Sequence, residues 1–134
     1  MIIELTLLAC IGVFIFIFNS VAMRRSQVDQ CRFHIEALLK RRQEVAREID
    51  PELAAELTGP ITEWLKLDSE TEQQLNALPE PAAEQLADYR ELGELLRQKL
   101  EHYRSWCAAY NRAVTAPPFC WLPKNSKFSQ RELF

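Results

Sequence analysis

Cys31 and His34 stand three residues apart, and His102 and Cys107 five apart, and by residue type these four are the chain's best candidates for holding a metal ion. Thiolate and neutral imidazole are the usual partners of a four-coordinate zinc. Residues i and i+3 share a helix face, whereas i and i+5 point well apart, so the second pair is badly spaced for a tetrahedral site. The better reading makes Cys31 and Cys107 small fillers of helix seams and leaves the histidines at the surface. No metal or other cofactor is expected. Acid–base chemistry has an equally plain alternative, because Glu91, Glu94 and Glu101 recur beside Arg90, Arg97 and Lys99 at the spacing of ion pairs on a helix surface. A phosphate-cradling glycine loop and a nucleophile beside a base are both missing, and three glycines leave little loop from which to shape a pocket. The chain does not read as an enzyme.

Polar residues with a structural reading are easier to find. Asn19 ends a long apolar run and Asn111 lies on the last helical stretch; both are read as buried amides that fix register between helices. Lys40-Arg41-Arg42 reads first as a solvated helix face and second as a contact with an acidic middle section. Beyond Pro117-Pro118, Lys124, Lys127 and Arg131 alternate with Trp121, Phe128 and Phe134. Rings at headgroup depth with cations toward phosphate suit a membrane surface, and these six are candidate membrane contacts. The competing reading packs the same aromatics onto the helices.

The elements that must position these residues begin with Leu5–Phe18, LTLLACIGVFIFIF, which holds no charge; Glu4 is the sole ionisable side chain before Arg24. Some 20 helical residues cover the roughly 30 Å of a bilayer's hydrocarbon core. Ser20-Val21-Ala22 would pass as a signal-peptidase site, but the first 23 residues lack the Lys or Arg of a secretion signal's positive start. Arg24 and Arg25 follow the apolar run, so the positive-inside bias places the N-terminus outside and the remainder in the cytoplasm. Three cysteines on that side, without a C-x-x-C pair, agree with a reducing compartment.

Val21, Val28, Cys31, Ile35, Leu38, Val45 and Ile49 continue as a helical seam with no Pro or Gly between Val13 and Asp50. Asp50-Pro51, Thr58-Gly59-Pro60 and a capping box at Ser69 and Glu72 predict short helices in the middle, with Leu53, Leu57, Ile61, Trp64, Leu65, Leu75 and Leu78 inward. A last helix is predicted from Ala82 to about Thr115, with Leu86, Tyr89, Gly93, Leu96, Leu100, Tyr103, Cys107, Tyr110 and Val114 as its seam. Strand and hairpin signals are missing. The expected fold is all-α: a transmembrane helix continuing into an antiparallel three- to four-helix bundle, with an anchor at 1–23, a bundle at 24–116 and a tail at 117–134. Charge is layered along the chain: net +4 over 24–47, −10 over 48–101 and +4 over 102–134. An overall charge of −3 argues against nucleic acid as a partner.

Phe18-Asn19-Ser20, Arg25, Val28-Asp29, Ile35-Glu36 and Leu39-Lys40-Arg41-Arg42 resemble the first helix of LemA-family bacterial membrane proteins. Tyr103, Tyr110-Asn111, Val114 and Pro118 are similar to that family's last helix, and Phe128–Phe134, FSQRELF, to its C-terminal signature. The resemblance implies a single-pass protein of the inner membrane with a cytoplasmic helical domain, and implies no reaction. The expectation is a non-catalytic scaffold whose partners are the membrane and another protein, or a second copy of itself. The alternative is a ligand or metal sensor using the cleft between the first and last helices.

Overall fold

The computed structural model describes residues 1–52, 56–78, 83–121 and 128–134. They form three helices, α1 (Ile2–Ile49), α2 (Ile61–Asn76) and α3 (Ala83–Thr115), followed by a 3₁₀ turn at Phe119–Trp121, and no strand occurs among them. α1 runs 48 residues without a break. Nothing in its sequence removes a backbone donor or adds conformational freedom apart from Gly12, which is why it persists for about 72 Å. Its N-terminal part is long and apolar enough to cross a membrane and contributes nothing to the protein interior; a secretion signal satisfies the same test of length and composition.

The chain divides into two compact units: a terminal unit of residues 1–30 with 103–133, and a central unit of residues 31–102 with Phe134. In the terminal unit, Val21 and Val28 of α1 are buried, as are Tyr103, Cys107, Tyr110 and Val114 of α3 and Phe119 of the 3₁₀ turn. Three rings gather there: Phe18 lies 4.6 Å from Phe119 and 5.5 Å from Phe128, and the last two are 5.3 Å apart. Each such ring pair adds about 0.5–1.5 kcal/mol to the area it buries.

In the central unit, Val45 and Ala46 of α1, Leu75 of α2, and Leu86 and Tyr89 of α3 form one apolar cluster, flanked by Ile49, Leu78 and Leu92. The α1 seam departs from expectation in its register: Leu39 is fully buried where Leu38 was expected, and Arg42, Gln43 and Ala46 are also buried. α2 differs more. Ser69 and Glu72 do not start a helix, because α2 already begins at Ile61 and passes straight through them. Ile61, Asp68, Thr71 and Leu75 are its buried residues. Burying that face continues the helix past a local capping signal, and Thr71 spends its hydroxyl on Leu67 O at 2.8 Å. At Asp50 the side chain accepts the Glu52 N–H at 3.0 Å, a turn that caps no described helix; Leu53 lies outside the described residues. Gly59, at φ 82, supplies the left-handed step before Pro60 and α2.

Candidate functional site

Spaced by four, three and one, Tyr103, Cys107, Tyr110 and Asn111 put two phenols, a thiol and an amide along one side of α3. What they meet is the extended C-terminal segment, whose peptide groups belong to no helix or sheet and must find other partners. Tyr110 donates its hydroxyl to Ser129 O at 3.0 Å and Tyr103 to Glu132 O at 2.5 Å. The Asn111 amide grips both sides of one residue, donating to Arg131 O at 2.9 Å and accepting the Arg131 N–H at 2.8 Å. The Cys107 thiol lies 3.5 Å from Arg131 O and 3.6 Å from Glu132 O, within donating reach of either.

Side chains of the segment are held as well. Arg131 points its guanidinium at Asp29 of α1, with Nε 2.9 Å from Oδ1 and Nη2 3.3 Å from Oδ2, while its charge sits 5.9 Å from the Tyr110 ring. A two-pronged arginine–carboxylate pair is directional in a way a lysine contact is not. Phe128 packs edge-on against both Phe18 and Phe119, with Arg25 over its ring at 5.9 Å. The hydrogen bond to Asp29 holds the Arg131 guanidinium above its usual range, and burial pushes the Tyr110 phenol up, so at neutral pH one stays charged and the other neutral.

Of the other residues singled out from sequence, Asn19 is exposed on α1, and Trp121 projects from the 3₁₀ turn at 76% exposure. Lys124 and Lys127 lie outside the described residues. Phe134 is half-buried, with Arg32 5.9 Å from its ring. The thiol–imidazole residues are spread apart in role: Cys31 donates to Lys99 O at 3.3 Å, whereas His34 and His102 are exposed. Burial pushes the Cys31 thiol up, away from the thiolate a metal would need. Among the described residues no group of three or more His, Cys, Asp and Glu is placed to hold a metal ion. Arg97 pairs on the surface with Glu94 at 2.5 Å and Glu101 at 2.8 Å, as the helix spacing predicts.

A second polar cluster lies in the central unit. Arg42, 1% exposed, forms a direct ion pair with Asp68 of α2, lies 3.6 Å from the Glu72 carboxylate, and stacks 4.0 Å from the centre of the Tyr89 ring. The solvated-face reading of Lys40-Arg41-Arg42 therefore fails at Arg42, and the contact with the acidic middle is what forms. Lys40 lies over Trp64 at 5.6 Å, and Arg41 pairs with Glu44 at 3.1 Å. Gln43 donates to Thr71 Oγ1 at 3.4 Å and Tyr89 to Asp68 O at 3.4 Å.

Gly93 makes room for the guanidinium: a Cβ there would come within 2.8 Å of Arg42 Nη2. Gly93→Ala gains about 1 kcal/mol of helix propensity but overpacks a pinned side chain at a cost of about 1–3 kcal/mol. A net loss of up to about 2 kcal/mol is expected in denaturant unfolding of the micelle-embedded chain.

Burial pushes the Asp68 carboxyl up to about 6, with the Arg42 charge pulling the other way. A carboxyl raised on folding contributes its stability in full below about pH 4 and loses it as pH rises through about 6. Thermal unfolding scans should show the central unit weakening over that window by an amount on the order of 3 kcal/mol, and Asp68→Asn should flatten the slope.

No family model, curated protein or solved structure matches the chain.

Proposed function

We propose that this chain is a single-pass, LemA-like protein of the bacterial inner membrane that acts without catalysis, as a docking scaffold on the cytoplasmic face. One observation carries the reading: α1 is a single helix, exposed and apolar through Phe16 and seamed with buried residues from Val21 to Ala46. A helix that is apolar all round at one end and amphipathic at the other belongs in lipid at the first and in a helical domain at the second. Arg24 and Arg25 at the junction favour an outside N-terminus.

The helical domain is best read as an antiparallel bundle. In the central unit, contacts advance along α1 while retreating along α3: Cys31 with Lys99, Arg42 with Gly93, and Val45 and Ala46 beside Leu86 and Tyr89. Exposed Glu63 and Glu70 on α2 give that unit an acidic face, suited to a partner with a basic patch. A photo-reactive residue at Glu70 in the membrane-embedded protein should crosslink one partner, and Glu63→Lys with Glu70→Lys in the same chain should abolish the adduct. Crosslinking indifferent to charge reversal, or maleimide labelling that places residue 2 and Ser69 on the same side of the membrane, would overturn the reading.

A further inference from the structure

Four donors on α3 are aimed at main-chain groups of a segment that contributes no secondary structure. The Asn111 amide in particular pairs with the N–H and C=O of Arg131, as a neighbouring β-strand would. Bonds of that kind bind any extended chain, while flanking pockets decide which side chains are accepted. Here the pockets are two: the space beside Phe18 and Phe119 for a ring, and Asp29 with the Tyr110 face for a guanidinium three positions later.

We infer that this groove is a peptide-reading site for extended segments carrying an aromatic residue and an arginine three residues on, with residues 128–132 as its resident occupant. The chemistry is complementary in charge as well as shape. Asp29 presents a half-exposed carboxylate, and the arginine fork fits it with two hydrogen bonds. A lysine would supply the charge but not the fork. Tethering gives the resident segment an effective concentration in about the millimolar range, so a free segment enters only when the tail is weakened or removed. The groove belongs to the terminal unit and the acidic face of α2 to the central one, and the inference stands whether or not that face docks a partner.

The test uses the full membrane chain in micelles and a fluorescent peptide of residues 128–134. A chain ending at Lys127 should bind it in about the micromolar range, at least about tenfold tighter than the intact protein does. A peptide with Arg131→Glu should bind the shortened chain about tenfold more weakly and recover when the chain carries Asp29→Lys. Should the shortened chain lose its helical circular dichroism, the intact chain with Arg131→Glu, whose tail is repelled by Asp29, takes its place and should bind the wild-type peptide where the unaltered protein does not. Dimers of the protein that dissociate on adding the peptide would support the site and identify a second copy as a source of ligand. The inference is overturned if a folded chain with its tail removed or repelled binds no peptide, or binds it equally well after Asp29→Lys or Asn111→Ala.

Discussion

Arg42→Met is expected to destabilise the central unit by about 3–5 kcal/mol, the loss usual when one member of a buried ion pair is removed. Asp68, 4% exposed, would be left buried with no cation in contact, and Tyr89 and Gly93 would lose the group they pack against. Since folded domains hold only about 5–15 kcal/mol in all, the variant should unfold at much lower denaturant than the parent. The double variant Arg42→Met with Asp68→Leu should recover most of the loss, because attraction within the pair little more than offsets the cost of desolvating both charges. That cost is visible in the pair itself. Burial outweighs Arg42 in setting the Asp68 carboxyl at about 6, and Arg42 Nε and Asp68 Oδ1 are buried without hydrogen bonds among the described residues. Urea unfolding of the single and double variants measures the two effects together; a single variant as stable as the parent would show that the pair contributes nothing.

Asn111→Leu should cost about 2 kcal/mol, measured by chemical denaturation of the terminal unit, since two main-chain groups of Arg131 lose partners at about 1 kcal/mol or more each. Asn111→Asp keeps the acceptor for the Arg131 N–H and loses the donor to its carbonyl, so it should fall between Leu and the parent. The tail should detach before the helices separate. Hydrogen exchange at the Arg131 amide is the sharper readout, and it should accelerate in Asn111→Leu by more than global unfolding accounts for.

Much of the helical framework was readable because it rests on period and on breakers. The 48-residue span of α1 follows from an interval without Pro and with Gly only at position 12, and the α3 seam from tyrosines and leucines at steps of three and four. The buried charges were missed for an identifiable reason. Val28, Ile35, Arg42 and Ile49 fall at intervals of seven on α1, as do Ile61, Asp68 and Leu75 on α2. Each charged residue occupies an apolar column, and reading columns by position instead of by residue type would have placed Arg42 opposite an acid. Ser69 shows the opposite failure, a capping pattern honoured locally and overridden by the burial of Asp68, Thr71 and Leu75 around it. The groove for the tail had two sequence signals, Asn111 and the tail aromatics whose competing reading packs them onto the helices. Phenols that serve as core in most helices gave no hint that their hydroxyls would hold the tail.

Cys31 and Cys107 are buried, one in each unit, while Cys10 and Cys120 are exposed. A water-soluble thiol-specific alkylating reagent therefore meets Cys120 at once, finds Cys10 within the apolar stretch proposed to lie in lipid, and reaches the two buried thiols only when the structure opens. Because Cys107 lies directly beneath Arg131 and Glu132, its modification rate measures how often the tail lifts, and the rate at Cys31 times openings of the central unit. Without any added probe, the molecule carries separate stopwatches for its two halves.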